Sequence, residues 1–382
     1  MLGCQATVAG RGLSFPSRCS AVTAPLQIHG LTRAAFVAAA KERLSRGAGV
    51  APRLYRQVLQ AGRFAPETFG LSAEAVAGWR RCFRHDLPEV SRLVTEEDER
   101  GWETAKAVLR LPDGLEYETV LIPMGRGRHT LCISSQVGCK MGCAFCETGR
   151  MGLLRDLPPQ DVVAQLLVAR HRLGWRFRNV VFMGMGEALD DVDKLVRVLD
   201  ILGDSSAFGL AQERITVCTV GRVDGIRRLS ELGYKRLNLS VSLNAANDAL
   251  RDELMPVNRV APLAELQQAL SLYRPRRNFA LGVNYCLLPG LNDGREDARD
   301  IARFCAPLGR VMVSLIPFNP GTSPLTRAPT EEEVVRFVGW LREEGLPVRR
   351  RIPKGREVMA ACGQLGNRQL AEAKRTLPVR TG

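Results

Sequence analysis

From residue 130 onwards, short apolar runs alternate with longer stretches in which apolar residues recur every three or four positions. The runs at 131–135, 179–183, 214–219, 236–243, 279–287 and 311–316 predict β-strands. The stretches at 159–173, 192–202, 223–232, 262–273, 295–305 and 330–344 predict helices. In the first of these, Val162, Val163, Leu166 and Leu167 share one helical face, and Pro158-Pro159 suits its entry, where a missing N–H costs nothing. Strand-then-helix units in succession predict an α/β fold, a parallel sheet with helices outside it. Six such units suit a partial (β/α)6 barrel spanning 131–345 better than a closed eight-fold one.

The pattern differs on either side of this core. Residues 26–100 read as short helices, for example 33–46 and 73–83, which predicts a small helical accessory domain. Residues 101–130 alternate as a β-rich extension does, with Pro112-Asp113-Gly114 as a hairpin turn. The segment 346–382 is basic at Arg349-Arg350-Arg351 and Lys354-Gly355-Arg356 and carries Cys362. Residues 1–25 contain no Asp or Glu and are expected to form a disordered tail.

Composition narrows the function classes. An apolar fraction of 45% with 25% charged residues excludes a disordered, collagen-like or coiled-coil chain. No run reaches the ~18 apolar residues of a membrane-spanning helix, so no membrane partner is expected. Lys and Arg number 54 against 40 Asp and Glu, and the resulting +14 favours a polyanionic partner, nucleic acid first. The 11 cysteines are an odd number, and Cys132, Cys139, Cys143 and Cys146 crowd together. Chemically employed, reduced thiols in the cytoplasm explain this better than a disulfide framework.

The sharpest local signal is Cys139-Lys-Met-Gly-Cys143-Ala-Phe-Cys146, in the loop after the first core strand. Three thiolates at this spacing can wrap one metal centre. A zinc ion would need a fourth ligand, which only a distant residue such as Cys132 could supply. A four-iron cluster held by three cysteines leaves one iron open to a cofactor. At the end of the second strand, Met183-Gly-Met-Gly-Glu187 offers bare backbone and a carboxylate in the same layer, where a cofactor's amino group could be held.

These features resemble the radical S-adenosylmethionine enzymes, and flanking words narrow the resemblance. Glu118-Thr-Val-Leu-Ile-Pro, Cys132-Ile-Ser-Ser-Gln-Val-Gly-Cys139, Met183-Gly-Met-Gly-Glu187, Arg251-Asp-Glu-Leu-Met-Pro-Val-Asn258, Leu315-Ile-Pro-Phe-Asn-Pro320 and Ala361-Cys-Gly-Gln-Leu365 are similar to the RlmN/Cfr family of RNA adenosine methyltransferases. The resemblance implies a radical-SAM barrel in which Cys139, Cys143 and Cys146 hold a [4Fe-4S] cluster and S-adenosylmethionine binds its open iron. It places Gly186, Glu187, Cys218, Ser242, Leu243, Asn244 and Asn319 at cofactor-contacting positions. Cys362 falls on the cysteine methylated first, Cys132 on the resolving cysteine and Glu118 on the proton acceptor.

The implied chemistry explains the parts. Adenine C2 and C8 are too electron-poor for ordinary methyl transfer. A methyl carried on Cys362 is instead activated as a carbon radical that adds to the ring. Glu118 takes the ring proton, and Cys132 attacks Cys362 to release product, leaving a transient disulfide. The implied partners are RNA (23S rRNA at C2, with tRNA as a further candidate) and an electron donor such as flavodoxin or ferredoxin, for a monomeric enzyme.

Four positions depart from the family's usual words: Ala188 for Pro, Cys218 for Ser, Asn244 for His and Ala246 for Pro. Two alternatives therefore stay open. One is a radical methylase of another position or substrate, including C8 or a non-RNA molecule; the other is a decayed RNA-binding paralogue. Retention of both Cys132 and Cys362 argues against decay.

Overall fold

A computed structural model describes residues 24–273, 276–322 and 324–366. Three helices come first, α1 (Arg33–Arg43), α2 (Ala51–Ala61) and α3 (Ala73–Cys82). Thr32 and Ser72 cap α1 and α3 by accepting from Ala35 N and Ala75 N, which satisfies N–H groups that a helix start leaves open. Phe36, at the centre of this region, has its ring centroid 5.1–5.8 Å from those of Tyr55, Trp79 and Phe83. All four are fully or almost fully buried.

Four antiparallel strands follow: β1 (Glu89–Glu97), β2 (Glu103–Arg110), β3 (Glu116–Pro123) and β4 (His129–Ile133). The core strands are β5 (Asn179–Phe182), β6 (Ile215–Thr219), β7 (Asn238–Ser242), β8 (Leu281–Leu287), β9 (Val311–Pro317) and β10 (Val348–Arg350). All ten lie in one sheet in chain order, and β4 to β10 run parallel. The row ends at β1 and β10 as an open sheet, in keeping with a partial barrel. The core helices are α4 (Pro159–Leu167), α5 (Val192–Gly203), α6 (Val223–Glu231), α7 (Leu263–Leu272), α8 (Arg295–Cys305) and α9 (Glu331–Glu343). Helices α5 to α9 bury one apolar face each, as Leu195, Val198, Leu199 and Leu202 do on α5, whereas α4 is buried all round from Val162 to Leu167. One apolar core runs from Ile28 and Phe36 to Leu341 and Leu365, so the N-terminal helices and the sheet share it.

Two expectations need correcting. The helical region does not extend to residue 100: α3 ends at Cys82, and Glu89–Glu97 is a strand of the main sheet. As an edge strand β1 is partly exposed on both faces, and a bulge between Val90 and Arg92 breaks its alternation, so its sequence carries no clean period of two. The core likewise does not stop at 345, because Val348–Arg350 pairs with β9 as a further strand of the sheet. Backbone pairing, not apolar side chains, recruits it. The expectations for residues 1–23 and 367–382 lie outside the described residues. Among the described residues no helix is long and apolar enough to cross a membrane.

Candidate functional site

The end of β4 is anchored before the cysteine loop begins. Buried Gln165 of α4 makes two 2.8 Å hydrogen bonds to Ser134, accepting from its N–H and donating to its carbonyl. The chain then forms a small hairpin, Gln136–Gly138 paired with Leu153–Asp156, and the cysteines ride on the loop between its strands. Cys139 and Cys143 pack with Met141, Ala245, Leu254, Met255, Leu288 and Phe318 in an apolar cluster separate from the main core. Ala144 N–H donates to Leu254 O at 2.9 Å, which ties the loop to that cluster.

Cys139, Cys143 and Cys146 line one cavity. Burial pushes the Cys139 thiol up to about 12 and raises those of Cys143 and Cys146. A dry site therefore opposes free thiolates, and metal coordination is what would make them anionic. Among the described residues no three His, Cys, Asp or Glu side chains are grouped to hold a single metal ion. A cubane cluster, in which each thiolate would bind a different iron, suits three cysteines that line one cavity.

Across the cavity lies the turn after β5. Gly186 has φ +98, and a Cβ there would stand 2.6 Å from Gln136 Cβ, so only glycine fits. Gln136 Oε1 in turn accepts from Glu187 N–H at 3.0 Å. The Glu187 carboxylate accepts from Val220 N at 2.8 Å and Leu189 N at 3.0 Å. Burial nonetheless pushes its carboxyl up to about 7. Such a group favours a cation beside it.

Cys218 at β6, Ser242 at β7 and Asn244 just beyond it complete the lining with Asn284, Cys286 and Cys362. Asn244 has φ +56, a conformation Asn tolerates better than most residues. Its Oδ1 accepts from Cys286 N at 2.9 Å and its Nδ2 points at Met255 Sδ, 3.3 Å away. Buried Arg251 braces this wall, donating to the carbonyls of Leu243 and Val220 and to Asn258 Oδ1. The Arg251-to-Asn258 word is therefore a strut under the cavity.

Cys362 reaches the cavity on the returning C-terminal segment. Glu147 N–H donates to Gly363 O at 2.8 Å, and Thr148 Oγ1 donates to Leu365 O. Cys362 keeps accessible surface while surrounding protein raises its thiol pKa. The Arg351 guanidinium acts the other way on Cys362, Cys132 and Cys218, favouring their thiolates. Every cysteine among the described residues is a free thiol.

Not every expected residue meets the cavity. Leu243 is fully buried in the main core, and its carbonyl serves Arg251. Asn319 lines an adjoining groove, where its Nδ2 donates to Cys362 O at 3.3 Å and its Oδ1 accepts from Arg356. Cys132 is buried in the main core and does not line the cavity. Glu118 does not line it either; it lies 3.6 Å from Lys106 Nζ and accepts from Gly366 N at 3.3 Å. Lys106 and Asn284 were not foreseen from the sequence, and Arg351 was named there only as part of a basic segment, not as a neighbour of the cavity's thiols. A polar residue inside an apolar strand run, as in Leu281-Gly-Val-Asn-Tyr, is the signal that was available for Asn284.

Residues 133–305 match the Radical SAM superfamily model. A protein of Protochlamydia amoebophila, "Probable dual-specificity RNA methyltransferase RlmN 1", is 44% identical over 288 residues, covering 75% of this chain and 80% of the relative. The chain belongs to the RlmN family. A second RlmN, the dual-specificity RNA methyltransferase of Syntrophotalea carbinolica, is 41% identical over 288 residues, 75% of this chain and 76% of its own. The crystal structure of a radical SAM methyltransferase from Sphaerobacter thermophilus superposes with a TM-score of 0.81 at 33% identity, covering 89% of this chain and 99% of that one. Of the four departures from the RlmN family's usual words, Cys218 and Asn244 line the cavity, while Ala188 and Ala246 follow the lining residues Glu187 and Asn244 by one and two positions.

Proposed function

We propose that the protein is an RNA methyltransferase that places a methyl group on an adenosine carbon, C2 favoured, through a methyl carried on Cys362. 23S rRNA is the favoured substrate and tRNA a further one. One observation carries this reading: Cys362 stands in the wall between two spaces. On one side is the cavity of the three cysteines and Glu187. On the other is a groove lined by Trp102, Met124, Arg349, Arg351 and Lys354. A thiol reachable from both sides can be loaded by a cofactor and unloaded onto a polyanion.

Cys139, Cys143 and Cys146 would hold the cluster, and Glu187 with the Gly186 turn would hold the amino group of S-adenosylmethionine. When bound, these groups supply the methyl and the radical that activates it, with an electron from a flavodoxin- or ferredoxin-type donor. The chain's own residues do the rest. Arg351 favours the Cys362 thiolate that accepts the methyl. Arg349 and Lys354 offer charge to phosphates, and a target base must leave its stack to reach the sulfur. Glu118 would accept the ring proton; the Cys132 thiolate would attack the Cys362 sulfur, forming a disulfide as the sulfur–carbon bond breaks, and the freed carbon would take up a proton as the methylated product leaves. Asn319 fixes the backbone of the reactive cysteine.

The test is mass spectrometry of protein purified without oxygen. A single added methyl on Cys362 is expected; an unmodified Cys362 in cluster-loaded protein would overturn the reading.

A further inference from the structure

Asn284 sits in the middle of β8, 2% exposed, in the wall of the cysteine-lined cavity. Its Nδ2 donates to Ser240 Oγ at 2.8 Å. Its Oδ1 is buried and has no hydrogen-bond partner. Buried polar atoms of this kind are rare and costly, and each calls for an explanation; of those among the described residues, this one alone belongs to a residue of the cavity wall. Turning the amide over would only exchange an orphaned carbonyl for an orphaned NH2.

The local structure is built to hold this amide. Ser240 of β7 lies opposite Gly282 of β8, and a Cβ on Gly282 would collide with Ser240 Oγ. Glycine thus leaves room for the hydroxyl that orients Asn284. Asn284 itself lies opposite Ser242, and its backbone carbonyl accepts from Leu243 N at 2.9 Å. The strand order separates it from Glu187: β6 and β7 lie between β5 and β8. A cofactor whose amino group is held at Glu187 would present its other end, the nucleoside, towards Asn284.

We infer that Asn284 is a cofactor-recognition residue, its side-chain carbonyl accepting a hydrogen bond from a hydroxyl or amino group of the adenosine part of S-adenosylmethionine. This rests on the proposed cofactor. Ser240 and Gly282 are positioning residues that act through it.

The test is equilibrium dialysis of S-adenosylmethionine against full-length, cluster-loaded wild type, Asn284→Ala and Asn284→Asp, with iron content and unfolding temperature as controls. Asn284→Ala should weaken binding about tenfold, the scale of one lost buried hydrogen bond, without loss of iron. Asn284→Asp keeps an oxygen acceptor in place and should recover most of the affinity; it also serves if the alanine variant folds poorly. Equal affinity of wild type and Asn284→Ala would overturn the inference, as would an Asp variant as weak as the Ala variant. A wild type that binds no S-adenosylmethionine would instead overturn the function proposed above.

Discussion

Lys106 and Glu118 face each other 3.6 Å apart, with side-chain exposures of 5% and 4%. Between them they grip both flanks of the Cys362 segment: Lys106 Nζ donates to Met359 O at 2.9 Å, and Glu118 Oε2 accepts from Gly366 N. Burial raises the Glu118 carboxyl pKa and lowers that of the Lys106 ammonium. Each charge is therefore sustained mainly by the other.

Breaking this pair should cost more than removing it. Lys106→Met strands a buried carboxylate and should destabilise the protein by ~3 kcal/mol or more, whereas Lys106→Met with Glu118→Leu should lie near wild type. Urea unfolding of the three proteins measures both. Additive losses would mean the pair is not coupled.

Cluster chemistry predicts a stoichiometry. Anaerobically reconstituted protein should carry about four irons and a broad thiolate-to-iron absorption band. Cys143→Ala should lose the band and most of the iron. Unchanged iron content in that variant would remove the cluster assignment.

Cys132 has one role in the proposed cycle, to free the product. With loaded protein and substrate RNA, Cys132→Ala should accumulate a covalent RNA–protein species seen as a shifted band on a denaturing gel. Recovery of free methylated RNA alone would count against the two-cysteine route.

Glu187 links pH to stability and to cofactor binding. Its folded carboxyl titrates near 7 against 4.5 for the free group, so the native state holds the proton more tightly. Its contribution to the unliganded protein is full below about 4.5 and is lost as pH rises through about 7. Glu187→Gln should therefore flatten the fall in unfolding temperature across that window. An ammonium bound by the carboxylate reverses the preference, so S-adenosylmethionine affinity should drop up to tenfold per unit below pH 7 in wild type. Calorimetric titration at pH 6, 7 and 8 measures it, and a flat profile would refute the contact.

The core of the fold was legible because its physics is local. Strands β4 to β9 are apolar runs and their helices carry a 3.6-residue stripe, so burial imposes its period on the sequence itself. The three cysteines and the Gly186–Glu187 turn were equally visible, because one short loop and one tight turn carry them. β1 and β10 were not, since edge strands are held by backbone pairing that leaves little trace in side-chain type.

By itself, then, the sequence determined the period of the elements, the cysteine spacing and the excess of positive charge. Only the tertiary structure decided that Cys362, more than 200 residues from the cysteine loop in the chain, shares its cavity, and that Lys106 and Asn284 face the groups they face. Those relations join residues from distant strands. They depend on the register between β7 and β8 and on the return of the C-terminal segment across the sheet ends, and neither is a property of any one stretch of chain.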